Sequence, residues 1–372
     1  MEGLRGVAVL LVFLVHFYSL FEHYVTPGSA LHWLSHCAAS LGHSGVDLFF
    51  ILSGYLIFGG HIRSAPPFGR YMRRRAERIY PTFLVVLAVY VGLSFVMPGA
   101  QKLPSAPRDA ALYLAANVLL LPGMFHIDPI LTVAWSLSYE WFFYLFVPAL
   151  VALTRMRTWT PAERIRLFTV LAALHLALSF VFIDLHPRLA MFFVGMVLYE
   201  RIGALRDAPP VEPGVTGKVL ARLAVTVAVI AAVVPFYPTQ RWPGALSEML
   251  ENGIHGGSLR VALLAWSLYP FVHTALGSRG PLTDALSWRP LRALGNMSYS
   301  YYLIHGLALH ALSFVASRVF HGRNVALFIA LFPAGLAATL VASAALYLAV
   351  EKPLSLSAAP KPGAARLSAS GS

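Results

Sequence analysis

The sequence predicts an all-α fold, a polytopic transmembrane helical bundle, and three observations carry that reading. Hydrophobic residues make up 58% of the 372 and charged residues only 12%, against roughly 25% charged in a soluble domain. The mean hydropathy is +0.68. Apolar stretches of spanning or near-spanning length recur from residue 4 to residue 350, separated by short basic links. No stretch is polar and long enough for a soluble domain, so 1–353 reads as one membrane domain and 354–372, rich in Ala, Ser, Pro and Lys, as a disordered cytoplasmic tail. The net charge of +12 sits in the links, which makes it an orientation signal and sets nucleic acid aside as a partner. Cys37 is the single cysteine, which excludes an internal disulfide, and with neither CxxC nor HExxH no metal is expected.

Eleven segments are helix candidates: 4–22, 44–60, 79–97, 110–124, 130–153, 167–184, 188–202, 219–237, 259–277, 295–317 and 325–350. If all crossed, the link holding Arg155, Arg157, Arg164 and Arg166 would lie across the membrane from the link holding Arg63, Arg70, Arg73, Arg74, Arg75 and Arg78, against the positive-inside rule. Segment 110–124 resolves the conflict. It is short, carries Asn117 and ends in Pro122-Gly123, as a re-entrant or half-buried segment would. About ten spans remain, with both termini cytoplasmic and about 21 of the 28 Lys and Arg residues inside. The links 61–78, 154–166, 203–218 and 278–294 then face the cytoplasm, and 23–43, 98–129 and 238–258 face outward. The first apolar run is followed directly by further spans, so it is a retained helix and not a signal peptide. No internal repeat of the transporter kind is visible.

A rise of about 1.5 Å per residue gives each ionisable residue a depth. Arg5 and His16, eleven positions apart, share one face of the first helix, about 16 Å apart along its axis. Ionisable groups inside a bilayer usually face a protein interior or a watery path, although an anchoring Arg and a hydrogen-bonded core His are the plain alternatives. Near the midplane lie His16, Glu140 and His305, residue types that suit an acid-base centre and equally a transporter's proton relay. At the cytoplasmic end lie Arg5, Arg75, Arg78 and Glu351. The run RYMRRRAERIYP (70–81) gathers five Arg residues, whose forks match phosphate oxygens and suit a phosphorylated cytosolic ligand. Topology and anionic lipid headgroups call for the same charges.

Six ordered blocks resemble the acyltransferase-3 family of integral membrane O-acyltransferases. They are GLRGVAVLLVFLVHF (3–17), SGVDLFFILSGYLI (44–57), RRRAERIYP (73–81), AWSLSYEWFFYLFVP (134–148), LGNMSYSYYLIH (294–305) and EKP (351–353). The resemblance implies transfer of an acyl group, commonly acetyl, from a cytosolic acyl donor to a hydroxyl of a sugar or another envelope or secreted molecule, in a bacterial cytoplasmic membrane. On that implication Arg5, Arg75 and Arg78 hold the nucleotide end of acyl-CoA, most simply acetyl-CoA. His16 is the general base, with Glu140 and His305 completing the catalytic set. Asp47, Asn296, Ser298 and Tyr299 are the substrate or oxyanion candidates.

The expected acceptor is a cell-envelope saccharide. A secreted glycosylated small molecule, or a glycan or solute transporter without covalent chemistry, are the alternatives. Glu140 is followed by Trp141 where the family often has a second acidic residue. The chain opens directly on the first block, where relatives usually have a short leader, which suggests an internal start codon or a trimmed terminus. It stops without the esterase-like domain of some relatives, so it is expected to act alone or with a separate extracytoplasmic partner. Trp33, His36, Trp242 and His255 in the outward links are expected to shape the acceptor site or to join the interfacial aromatic belt.

Overall fold

The computed structural model describes residues 1–64, 66–96, 102–125, 127–182, 185–203, 212, 214–233 and 256–356. Among these residues the chain is helical, with no strand. In chain order the helices are α1 (Glu2–Phe21), α2 (Ala30–Gly42), α3 (Ser44–Ser64), α4 (Phe68–Val96), α5 (Pro107–Val118), α6 (Ala134–Leu153) and α7 (Pro161–Ser179). Then follow α8 (Ala190–Gly203), α9 (Val215–Val233), α10 (Gly256–Gly277), α11 (Pro281–Leu286), α12 (Arg289–Asn296), α13 (Ser298–Val319) and α14 (Val325–Leu346). A π-helical stretch, Tyr347–Leu356, continues α14.

Every one of the eleven apolar segments contains a helix, and seven helical stretches among the described residues are long and apolar enough to cross a bilayer. These are Glu2–Tyr24, Ala30–Ser64, Phe68–Val96, Ala134–Leu153, Gly257–Gly277, Ser298–Val319 and Val325–Ser355. The structure thus gives seven such spans where the charge count gave about ten. The difference has a physical cause in two cases: α8 has only 14 residues, and α7 places Glu163, Arg164 and Arg166 in its first two turns. Helix α5, at 12 residues, rises about 18 Å against a hydrocarbon core of about 30 Å, in keeping with a segment that does not cross. The stretch 23–43, read as a link, holds α2, started by Ser29, whose side chain accepts from the His32 amide at 3.2 Å. The first residues of the expected tail, 354–356, are π-helical; residues 357–372 lie outside the described residues, as do Trp242 and His255.

The centre of the bundle is aromatic. Phe143 of α6 stacks on Phe192 of α8 with ring centroids 3.9 Å apart, and Phe50 of α3 stacks on Phe192 at 4.6 Å. Two glycines bring α3 and α8 into backbone contact there: a Cβ on Gly54 would overlap the carbonyl oxygen of Phe192, and one on Gly195 that of Ile51. A second cluster fastens α1 to α14, where Phe13 and Phe17 meet Phe332 edge-on. Helix α1 is therefore fixed on both flanks. At the end of the bundle holding the α3–α4 link, Arg164 pairs with buried Glu200 at 2.7 Å, and Arg157 donates to the carbonyl of His61. We call this the basic end.

Candidate functional site

Two cavities lie one behind the other along α1, and that helix contributes one ionisable residue to each. Arg5 lines a cavity of about 120 Å3 at the basic end. His16 lines a larger one, of about 490 Å3, toward the opposite end. Arg5 and His16, expected to share a face of this helix, border different cavities. Val46 of α3 and Tyr302 of α13 line both cavities. The Tyr302 hydroxyl is fixed in this common wall, donating to the Val133 carbonyl at 3.0 Å and bonded to Ser136 Oγ at 2.6 Å.

The basic-end cavity is built by α4. Arg75 and Arg78, three residues apart, emerge from one face of that helix. The Arg75 guanidinium lies over the Tyr144 ring at 4.8 Å and the Tyr71 ring at 5.4 Å, a geometry that holds a cation without neutralising it. Arg78 lies over Tyr299 at 5.8 Å and pairs with Glu351 at 2.8 Å. The π-helical stretch delivers Glu351, fully buried, to the start of α13. There its Oε2 accepts from the Ser300 amide at 3.0 Å and the Ser300 hydroxyl at 2.5 Å. One carboxylate so satisfies a helix N-terminus and a cation together. Arg5, Arg75, Arg78 and Glu351, expected at one depth, are brought together, although Glu351 binds Arg78 directly and is not a lining residue.

Glu140 also lines this cavity, and in this it departs from the sequence reading, which grouped it with the two histidines. Its Oε1 accepts from Tyr144 OH at 2.6 Å and Ser53 Oγ at 3.2 Å. Depth gave no azimuth: Glu140 faces α3 and its own next turn, on the Arg side of the common wall. Ser298 and Tyr299 line the same cavity, but the Tyr299 hydroxyl is engaged, donating to the Ile79 carbonyl at 2.7 Å. Asn296, at the last position of α12, is exposed and lines neither cavity, because the chain turns at Met297 before α13 begins.

His16 and His305 are neighbours, with ring centroids 4.7 Å apart and planes at 66°. His305 is fully buried, its Nδ1 is 2.9 Å from the Tyr301 carbonyl, and the Tyr301 ring stacks on it at 5.2 Å. A carbonyl only accepts, so Nδ1 carries the proton and Nε2 of the neutral ring holds a lone pair. That Nε2 is buried with no hydrogen-bond partner among the described residues. The pair therefore offers His16 an acceptor behind it and the larger cavity in front.

Of the walls of the larger cavity, Arg188, Trp135 and His186 were not singled out in the sequence as site residues. Asp47, fully buried, lines this cavity and faces Arg188 at 3.5 Å. Arg188 in turn lies over Trp135 at 5.9 Å, and His186 stacks on Trp135 at 5.1 Å. A signal was available: a carboxylate on an apolar helix needs a countercharge, and Arg188 is the basic residue at the matching end of 188–202. His36 lies elsewhere, stacked on Tyr18 at 5.4 Å in a separate recess. Among the described residues no cluster of His, Cys, Asp and Glu has metal-binding geometry.

Comparison with known proteins assigns the chain to a family. A family model described as an acyltransferase domain matches residues 1–348. Acyltransferase MdmB of Streptomyces mycarofaciens is 28% identical over 329 residues, which is 83% of this chain and 78% of that protein. The exopolysaccharide production protein ExoZ of Rhizobium meliloti is 24% identical over 339 residues, 86% of this chain and 94% of that protein. Peptidoglycan O-acetyltransferase OatA of Listeria monocytogenes is 25% identical over 82% of this chain, which spans 48% of OatA's length. No solved structure matches. With one family model running over nearly the whole chain, the chain belongs to the acyltransferase-3 family and is an acyltransferase.

Proposed function

We propose that the protein moves an acyl group, most simply acetyl, from acyl-CoA at the basic end to a hydroxyl of a cell-envelope saccharide in the larger cavity. The observation that carries this reading is the division of α1, with Arg5 bordering one cavity, His16 the other, and a single wall, Val46 and Tyr302, common to both. The basic end faces the cytoplasm, where acyl-CoA is made, and both termini lie on that side of a bacterial cytoplasmic membrane. The cavity of about 120 Å3 suits the short acyl end of the donor, while Arg75 and Arg78 at its mouth meet the phosphates of the nucleotide end.

His16, in its neutral form, takes the proton of the acceptor hydroxyl as that oxygen attacks the thioester carbonyl. His305 Nε2, unpartnered among the described residues and beside His16, is the acceptor available to the other ring nitrogen of His16 once the imidazolium forms. The tetrahedral oxyanion then collapses, the C–S bond breaks, and the proton passes from His16 to the leaving thiolate. The Ser298 hydroxyl, in the basic-end cavity, is a candidate donor to the oxyanion. Glu140 supports this reaction indirectly, by placing Tyr144 against Arg75. The relatives ExoZ and OatA, an exopolysaccharide production protein and a peptidoglycan O-acetyltransferase, support an envelope saccharide as the acceptor.

The test is mass spectrometry of envelope glycans from host cells lacking the gene, complemented with wild type or His16→Ala at matched membrane levels. An acetyl increment with wild type alone is expected. Full modification by His16→Ala would overturn the role of His16. Reconstituted protein that moves a glycan across vesicles without consuming labelled acyl-CoA would overturn the acyltransfer reading of the site in favour of transport.

A further inference from the structure

A third recess, of about 370 Å3, lies at the basic end away from both cavities. It is bounded by the end of α8, the first two turns of α9 and the C-terminal half of α10. Arg201, Lys218 and Arg222 converge on it, with Tyr269, His273 and Thr274 completing its polar lining, and among the described residues no carboxylate lines it. Among the described residues none of the three cations makes an ion pair. The carboxylate next in sequence, Glu200, is already held by Arg164 at 2.7 and 3.1 Å. Arg222 lies over the Trp266 ring at 5.2 Å, which orients its charge and leaves it uncancelled.

Positive-inside topology needs basic residues on one side of a membrane, and spreading them along solvated links serves it fully. Three cations around one concave site instead repel one another and are relieved by an anion. Hydroxyl and imidazole donors beside them match an oxyanion with several acceptors. The flank is apolar: Leu220 and Val225 of α9 and Trp266 of α10 are exposed large hydrophobics, as on a surface that faces lipid chains.

We propose that this recess binds a phosphate group, and that the phosphate is the headgroup diester of an anionic phospholipid whose chains lie along Leu220, Val225 and Trp266. The inference is independent of the reaction assigned to the two cavities. Its test uses the whole protein in nanodiscs of phosphatidylethanolamine with graded phosphatidylglycerol, followed by native mass spectrometry of the lipid retained after release.

Wild type is expected to retain one phosphatidylglycerol in preference to phosphatidylethanolamine. The triple variant Arg201→Gln/Lys218→Gln/Arg222→Gln should weaken that preference roughly a hundredfold, at roughly fivefold for each charge removed. Each single variant, read in the same way, should lose its own fivefold, so the result does not hang on the triple variant inserting. Arg279→Gln/Arg289→Gln, which removes two exposed basic residues elsewhere at this end, should leave retention unchanged. Equal retention by wild type and the single variants would overturn the site. Stabilisation by millimolar inorganic phosphate in discs of phosphatidylethanolamine alone, with no preference for phosphatidylglycerol, would overturn the lipid as its source.

Discussion

Replacing Glu351 by Ala removes three contacts at one stroke: the ion pair to Arg78 at 2.8 Å and the bonds from the amide and hydroxyl of Ser300. Breaking a buried pair from one side costs about 3–5 kcal/mol. The Arg78 side chain keeps 27% of its surface exposed, so water takes up part of its charge and about 2–3 kcal/mol is the fitting figure for that contact. Loss of the cap on the first turn of α13 adds about 1 kcal/mol. The sum is about 3–4 kcal/mol. Glu351→Gln keeps a carbonyl for the Ser300 amide and loses only the charge, so about half of that is expected. Denaturant unfolding in mixed micelles reads these values, and Arg78→Ala alone and combined with Glu351→Ala completes a cycle with an expected coupling of about 2 kcal/mol. The same variants should raise the apparent KM for acyl-CoA, because Arg78 loses the partner that holds it over Tyr299. A cost below about 0.5 kcal/mol for Glu351→Ala, or coupling indistinguishable from zero, would refute this account of the basic end.

Gly54→Ala should destabilise the bundle by about 1–3 kcal/mol, because its methyl group would overlap the Phe192 carbonyl oxygen at the α3–α8 crossing; thermal unfolding in detergent checks it. Arg188→Ala should cost roughly 2 kcal/mol by leaving Asp47 charged and buried, and Asp47→Asn in the same chain should recover part of it, read by the same melts. His305→Gln should lower kcat far more than the KM for acyl-CoA, since His305 lies behind His16 and away from the Arg mouth; steady-state kinetics separates the two constants. The Glu163 carboxyl, outside the spanning helices, is held below its ordinary value by the Thr160 backbone N–H at 2.7 Å and the Thr160 hydroxyl at 2.8 Å. Such a group stabilises fully above its unfolded value near 4.3 and ceases to as pH falls through the lower folded value. Hydrogen exchange in the first turn of α7, corrected for intrinsic rates, should therefore be steady above about pH 5 and rise below about pH 4.

The parts of the site legible in the sequence are those fixed by one helix. Arg5 and His16 needed only the helical repeat, and Arg75 and Arg78 only their spacing of three. Glu140 shows where that reasoning stops: rise per residue gave a depth, but the turn of α6 that points it at Ser53 depends on how α6 leans on α3. Asn296 illustrates a second limit, since a short helix, α12, ends and a long one, α13, begins where one continuous segment was expected. Helix α2 was hidden by composition, because His32, His36 and the Ser residues of 29–44 lower the apolar signal that marks a span. Arg188 was not singled out at all, standing only as the first residue of the apolar segment 188–202. Its role depends on Asp47, 141 positions earlier in the chain, and only packing brings the two together.

Val46 and Tyr302 have a meaning beyond the chemistry on either side of them. Where two cavities share part of their lining, the separation between them does not come from hydrocarbon or from the length of the helices. It comes from a septum one side chain deep, a Val and a Tyr whose hydroxyl is tied back to Val133 and Ser136. Trimming either residue would do more than loosen a core: it should join the two cavities into one polar passage along α1, read as faster ion leakage from vesicles holding the variant than from vesicles holding wild type, whether or not any substrate is present.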